Sequence, residues 1–122
     1  MDEETPRLRI LVVEDESLVA FLLEDMLEEM GCDVVASAAR LAEGLEAAER
    51  ESFDVAFLDV NLGGGDRSFA IARRLEERGL PFAFLTAYGA TPVRDEFPAA
   101  PVVLKPFLKH DLEKALARTV GG

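Results

Sequence analysis

The chain has 122 residues, of which 49% are hydrophobic and 30% are charged, and its formal net charge at pH 7 is −11. Its length suits a single domain, and no apolar run approaches the ~20 residues that would span a bilayer. The acidic balance, without any Lys/Arg stripe, argues against direct nucleic-acid binding, which needs a basic face.

Short apolar runs alternate with longer amphipathic segments along the chain, which predicts strands alternating with helices. Residues 9–13 consist of Arg9 followed by four apolar residues in a row. Such a continuous apolar run is typical of a strand covered on both faces. Apolar residues then recur at helical spacing over 19–30, and Gly31 is placed to end that helix. The later segments predict strands over 33–36, 53–58, 81–85 and 102–104 and helices over 41–50, 68–78 and 109–120.

The segment over 88–100 has a poor apolar period and contains Pro92 and Pro98. Proline removes a backbone donor and clashes in helix interiors, so any fourth helix is short or irregular. Five strands alternating with about five helices predict a doubly wound α/β domain with a parallel sheet. We expect one domain over 1–122, with its core in 9–120.

The residues directly after the predicted strands carry reactive groups, and in open α/β sheets ligands bind at these carboxyl ends. These residues are Glu14, Asp15, Asp59, Thr86, Ala87, Lys105 and Pro106. Right-handed crossovers bring the carboxyl ends of parallel strands to one edge of the sheet. Three carboxylates, one hydroxyl and one ammonium group are therefore expected to converge there.

A cluster of this composition is suited to phosphoryl transfer. Packed carboxylates raise one another's pKa values by like-charge repulsion, which a divalent cation relieves. Mg²⁺ prefers oxygen ligands and keeps several waters, so it suits a shallow acidic cluster. Beside a lysine and a hydroxyl, Asp59 could attack a phosphoryl group as an already ionised nucleophile.

Each of these residues also has an ordinary structural explanation when it is considered alone. Asp15 or Ser17 could cap the first helix, Thr86 could close a turn, and a Lys-Pro pair often ends a strand. Their joint occurrence at successive strand ends favours the functional interpretation. Cys32 is interpreted as a small buried residue, and His110 as an exposed residue at a helix start.

At these positions the sequence resembles the receiver domain of two-component response regulators, over about 9–120. The resemblance implies a flavodoxin-like fold and a signalling phosphoprotein, not an enzyme that turns over an external substrate. It also implies that a histidine kinase or phosphotransfer protein delivers the phosphoryl group with Mg²⁺ present. A downstream protein target is implied as well, which the sequence does not name.

The resemblance assigns metal and tuning roles around Asp59, which matches the phosphorylated aspartate of the family. Asp15 would bind Mg²⁺ directly, and Glu14 directly or through water. Asn61 would contribute its backbone to the metal and phosphoryl site. Tyr88 and Asn61 also occupy positions that tune the hydrolysis of the acyl phosphate in this family.

The resemblance also implies how a bound phosphoryl group is held and sensed. Thr86 and the backbone N–H of Ala87 would donate hydrogen bonds to it, and Lys105 would pair with it. The bond between Lys105 and Pro106 is often cis in this family. Many members carry a Tyr or Phe where this chain has Val102, so we do not expect the common Thr–aromatic switch.

The run over 81–89, with an Asn-Leu-Gly loop after Asp59, resembles a subgroup of single-domain regulators. That subgroup carries a Phe-x-Thr-Gly-Tyr-like signature, a reduced fourth helix and an aliphatic residue at the switch position, and it is associated with HWE-type histidine kinases. Ala87 replaces the usual glycine of the signature, and Glu14 replaces the aspartate found in many receivers.

Three alternatives are weighed against a stand-alone receiver. A receiver cut from a hybrid histidine kinase would carry the same motifs, and Gly121–Gly122 is either a frayed tail or such a cut. An aspartate-nucleophile phosphatase would need a second acid where Asn61 stands. A non-phosphorylated flavodoxin-like module would not need the acidic set. Because 1–6 lack the features of a signal peptide, we expect a cytoplasmic protein.

Overall fold

A computed structural model of the protein describes residues 7–120, without the side chain of Val120. Its strands are β1 (Arg9–Val13), β2 (Asp33–Ala38), β3 (Val55–Asp59), β4 (Phe82–Thr86) and β5 (Val102–Leu104). Its α-helices are α1 (Ser17–Glu29), α2 (Leu41–Arg50), α3 (Phe69–Arg78), α4 (Thr91–Glu96) and α5 (Lys109–Val120). All neighbouring strands are parallel, in the order β2-β1-β3-β4-β5. The predicted flavodoxin-like α/β fold is confirmed, and the tail at Gly121–Gly122 lies outside the described residues.

The apolar core lies on both faces of the sheet, so β3 and β4 are buried along their whole length. Leu11 and Phe84 belong to the cluster that α2 and α3 cover, whereas Ile10 and Phe57 belong to the cluster covered by α1 and α5. Burying one such Leu, Ile or Phe side chain stabilises the fold by about 1.5–3 kcal/mol. The two layers therefore hold the carboxyl ends of the strands in place.

Most predicted boundaries are confirmed, and the differences have local causes. Strand β3 begins at Val55 because Asp54 turns toward β1, where its carboxylate accepts the backbone N–H of Arg9 at 2.8 Å. Strand β2 continues to Ala38, whose carbonyl accepts the backbone N–H of Glu14 at 3.0 Å.

The first turn of α1 does not use the predicted side-chain caps. The capping position is Glu16, which makes no side-chain cap hydrogen bond, and Ser17 is already the first helical residue. The structural explanation of Asp15 or Ser17 as helix caps is therefore wrong.

Two glycines position helices around the sheet. Gly31 has a φ of +92° and follows the capping residue of α1, so its predicted role in ending that helix is confirmed. Gly44 lets α2 lie close to Ile71 of α3, because a Cβ atom at Gly44 would lie 2.5 Å from Cδ1 of Ile71. This close approach seats α2 beside Val13, at the carboxyl end of β1.

Helix α4 has only six residues and Pro92 in its first turn, as predicted for a short fourth helix. Cys32 is buried, and His110 is exposed in the first turn of α5, which confirms both structural interpretations. Among residues 7–120, no helix is long and apolar enough to cross a membrane.

Candidate functional site

A cavity of about 300 Å³ opens at the carboxyl edge of the sheet. Six of the predicted site residues line it: Asp15, Asp59, Asn61, Ala87, Tyr88 and Lys105. Glu16 and Leu62 complete the wall, and the sequence interpretation missed both of them. Their only signal is their place directly beside predicted site residues, since neither carries a distinctive pattern.

Three carboxylates meet at this edge of the sheet because of the strand register, and two of them, Asp15 and Asp59, line the cavity. Val13 of β1 pairs with Leu58 of β3, so the next residues, Glu14 and Asp59, lie side by side. One carboxylate oxygen from each of Glu14, Asp15 and Asp59 lies within 4.8 Å of the other two. Glu14 and Asp59 are buried and Asp15 is exposed, so the cluster has one solvent-facing ligand.

The cluster fits a hard divalent cation for two reasons: its side chains all offer oxygen ligands, and one buried oxygen of Glu14 lacks a hydrogen-bond donor. All three side chains offer oxygen, the ligand type that Mg²⁺ prefers. Oε2 of Glu14 accepts the backbone N–H of Glu16 at 3.1 Å, whereas the buried Oε1 has no hydrogen-bond partner besides its ion pair with Lys105. That oxygen and the exposed carboxylate of Asp15 could therefore coordinate a metal.

Lys105 is the positive group of the site. Its Nζ lies 2.8 Å from Oε1 of Glu14 and 3.3 Å from Oδ1 of Asp59. Burial works to lower the pKa of Lys105, but its hydrogen bond to Glu14 and the charges of Asp59 and Glu14 outweigh burial and raise that pKa. The lysine is therefore held protonated between two buried carboxylates.

Asp59 is the most strongly perturbed acid of the site. Burial and, next, the negative charge of Glu14 raise the pKa of Asp59 to about 7, against an opposing effect of Lys105. A buried carboxylate beside another negative charge is stabilised when it binds either a proton or a cation. The perturbation agrees with a site that is completed by a positively charged ligand.

We predict that the metal-free domain loses stability between about pH 4 and pH 7 through Asp59. The pKa of Asp59 is about 7 in the folded domain and 3.8 for an ordinary aspartate, so the stability that Asp59 contributes is fully present below pH 3.8. That contribution is lost as the pH rises through the folded pKa of about 7. Thermal unfolding in EDTA at pH 5, 6, 7 and 8 should show a falling Tm, and Asp59→Asn should remove most of this slope. Parallel slopes in the two proteins would contradict the assignment.

Thr86 lies beside the cavity, next to its lining residue Ala87, without lining the cavity itself. It is buried as the last residue of β4, and its Oγ1 accepts the backbone N–H of Tyr88 at 3.1 Å. Tyr88 itself is 81% exposed. The hydroxyl of Thr86 is thus tied to the segment that follows it, which makes that segment sensitive to any rotation of Thr86.

The loop after β3 is held rigidly beside the acidic cluster. The backbone N–H of Leu62 donates to the carbonyl of Asp66 at 2.9 Å, and Asn61 forms an antiparallel bridge with Arg67. Between them, Gly63–Gly65 forms a 3₁₀ turn. The turn passes close to Asp15, since a Cβ atom at Gly63 would lie 3.6 Å from Oδ2 of Asp15.

Four predicted residues do not line the cavity: Glu14, Thr86, Val102 and Pro106. Val102 pairs with Phe84 in the sheet and packs, half-buried, against the apolar cluster under α2 and α3. Pro106 lines a separate groove between β5 and α5. The predicted cis bond between Lys105 and Pro106 is present.

Comparison with known proteins agrees with this geometry. The model of the response regulator receiver domain family matches residues 10–117. The transcriptional regulatory protein PdtaR of Mycobacterium tuberculosis is 31% identical over 122 residues, which cover 98% of this chain. The chain spans 59% of the length of that relative.

Solved structures show the same fold. SdrG from Sphingomonas melonis Fr1 is 39% identical with a TM-score of 0.84, and the match covers 94% of this chain and 98% of SdrG. The response regulator PhyR from Brucella abortus is 27% identical with a TM-score of 0.83, covering 95% of this chain and 49% of PhyR. The chain belongs to the response regulator receiver domain family of two-component signalling.

Proposed function

We propose that this receiver accepts a phosphoryl group on Asp59 from a histidine kinase or phosphotransfer protein. The observation that carries the proposal is the arrangement around Asp59. This buried carboxylate lies within 3.3 Å of a lysine ammonium and within 4.8 Å of two further carboxylate oxygens that could share a cation with it.

In the proposed reaction a carboxylate oxygen of Asp59 attacks the phosphorus of a phosphohistidine. The new O–P bond forms as the N–P bond breaks, and the electron pair returns to the imidazole nitrogen of the donor. Lys105 is close enough to pair with an oxygen of the transferred group. Ala87 lines the cavity, so its backbone N–H can donate to a second oxygen once the group is in place.

Glu14, Asp15 and Asp59, with the backbone of Asn61, would hold the Mg²⁺ ion that the site is suited to accept. When bound, Mg²⁺ supplies charge neutralisation for the phosphoryl oxygens. The negative charge of Glu14 would then be balanced by two cations, Lys105 and the metal, which favours the ionised form of Asp59.

The proposed output runs through the segment from Thr86 to Pro101. In the unmodified protein the hydroxyl oxygen of Thr86 accepts a hydrogen bond from the backbone N–H of Tyr88. When Thr86 instead donates a hydrogen bond to a phosphoryl oxygen, its hydroxyl moves away from Tyr88. The loss of that contact would let α4 and its flanking loops reorganise and change a partner surface. Because Val102 replaces the usual aromatic, no ring in β5 follows the threonine.

We also propose that the chain belongs to the single-domain subgroup with a Phe-x-Thr-Gly-Tyr-like signature, and that its partner is an HWE-type histidine kinase. The likeness to SdrG supports this proposal, since it covers 98% of that protein at 39% identity. A solved PhyR from Bartonella quintana is described as an anti-anti-sigma factor. A protein target is therefore the proposed output, rather than DNA.

The proposal predicts that Mg²⁺ binds the unmodified protein and is required for phosphorylation. Tyr88 lines the cavity and is the chain's one tyrosine, and the chain has no tryptophan, so its fluorescence reports on the site. Mg²⁺ should change this fluorescence, and EDTA should reverse the change. Asp15→Asn should weaken the binding of Mg²⁺ at least tenfold. Asp66→Asn, which changes an exposed carboxylate outside the cavity lining, serves as the control. Phosphorylation by acetyl phosphate that proceeds equally well in EDTA would count against the proposal.

A further inference from the structure

An arginine of α3 contacts the carboxyl end of the short helix α4. The guanidinium of Arg73 is ion-paired with Glu96, the last residue of α4. The same guanidinium lies over the ring of Phe97, with its central carbon 5.7 Å from the ring centroid. One side chain thus makes two attractive contacts with the carboxyl end of α4.

Apolar packing and one ion pair hold α4 in place. A six-residue helix is too short to be stable alone, so its position depends on tertiary contacts. Besides the contacts of Arg73, the side chain of Val93 within α4 is buried. The buried ring of Phe97, just after α4, packs against the rings of Phe69, Phe82 and Phe84. The apolar contacts anchor the residues around Val93 and Phe97, whereas the ion pair with Arg73 holds Glu96, the last residue of α4.

We propose that the Arg73–Glu96 pair is a latch that holds α4 in its unmodified position, an inference that rests on the proposed function of the Thr86–Pro101 segment. Any unwinding or displacement of the last turn of α4 separates Glu96 from Arg73 and moves the ring of Phe97 away from the guanidinium. The latch therefore favours the unmodified state and raises the concentration of phosphoryl ligand needed to switch it.

The size of the effect follows from the exposure of the pair. The side chains of Arg73 and Glu96 are 54% and 42% exposed, which places them among the weaker ion pairs. Removing such a contact shifts a two-state equilibrium by about two- to fivefold. A shift of this size tunes the threshold of a switch without locking it.

Arg74, the next residue of α3, provides a matched control. It is also paired with a glutamate of another helix, Glu49, but that residue belongs to α2. Arg74 additionally contacts Glu77 within α3. Replacing Arg74 therefore removes an arginine–glutamate pair from the same helix without loosening α4.

The test is a titration of the protein with beryllofluoride, a phosphoryl mimic, at saturating Mg²⁺ and with Tyr88 fluorescence as the readout. Arg73→Gln and Glu96→Gln should each lower the half-saturating concentration about two- to fivefold. The charge-swapped double variant R73E/E96R should restore most of the wild-type value. In 1 M salt the wild-type midpoint should approach that of Arg73→Gln, because the ion pair is screened.

Arg74→Gln should leave the midpoint unchanged. Equal midpoints for wild type, Arg73→Gln and Glu96→Gln would overturn the latch while leaving the phosphoacceptor assignment intact. A shift of the same size in Arg74→Gln would also overturn it, because the effect would then be general. A wild-type protein that binds no beryllofluoride would refute the proposed function, and the latch with it.

Discussion

Replacing Asp59 with asparagine should abolish phosphorylation by acetyl phosphate and by a cognate histidine kinase. The amide keeps the shape of the side chain at the end of β3 but removes the anionic oxygen that attacks phosphorus. The remaining carboxylates are poor substitutes, since Glu14 is buried against Lys105 and Asp15 sits at the exposed side of the cluster. Labelling with radioactive or Phos-tag-resolved phosphate should fall to background, a loss of at least about a thousandfold.

The control for this experiment is Asp66→Asn in the loop after β3. Asp66 is exposed and contributes its backbone carbonyl, not its side chain, to the loop hydrogen bond with Leu62. It should therefore be labelled as well as the wild type. Undiminished labelling of Asp59→Asn would sink the assignment of the phosphoacceptor. Unlabelled wild type with a competent kinase would do the same for the proposed function.

Replacing Lys105 with methionine should lower the free energy of unfolding by about 2–4 kcal/mol at pH 7.5 in EDTA. Methionine keeps the apolar stem but leaves Glu14 and Asp59 as neighbouring buried carboxylates without their shared ammonium. The cost should shrink at pH 5, because protonation of Asp59 removes one of the two charges. The sign follows from the raised pKa of Asp59, which rises further once the lysine is gone.

Urea denaturation at both pH values measures this effect, and Lys109→Met is the matched control. Lys109 is half-exposed and lies 3.9 Å from Glu29, so its loss should change the unfolding free energy by less than about 0.5 kcal/mol. Saturating Mg²⁺ should recover part of the stability of Lys105→Met, since a cation can replace the missing charge. A Lys105→Met protein as stable as Lys109→Met would show that the buried cluster is not held by Lys105.

The position of Lys105 suggests how the unmodified site is kept intact. With Glu14 at 2.8 Å and Asp59 at 3.3 Å, the lysine compensates the carboxylates that a metal would otherwise neutralise. In the proposed modified state the same ammonium would follow the phosphoryl group on Asp59. One side chain would then serve stability before phosphorylation and charge neutralisation after it.

Much of this protein could be read from local patterns in its sequence. The apolar segments at 9–13, 53–58 and 81–85 predicted buried strands. The structure has strands there at Arg9–Val13, Val55–Asp59 and Phe82–Thr86. The residues directly after these strands had to share one edge once the sheet was parallel. Glu14, Asp15, Asp59, Thr86 and Lys105 were therefore predictable as neighbours, because strand ends are set by chain order and fold topology.

The contacts among those residues were decided by the tertiary structure. The register of β1 against β3 puts Glu14 beside Asp59 and buries it, while Asp15 turns toward solvent. Sequence patterns carry the periodicity of each strand but not the offset between two strands. For that reason the ion pair between Glu14 and Lys105 was not predicted.

The same limit applies to the segment that is proposed to switch. Pro92 predicted that α4 would be short. The hydrogen bond from Tyr88 to Thr86, in contrast, depends on the local path of the backbone after β4. The contact of Arg73 with Glu96 joins side chains 23 positions apart on two helices. Chain order and apolar period thus determined the fold and the membership of the site, whereas strand register and helix packing decided which charges touch.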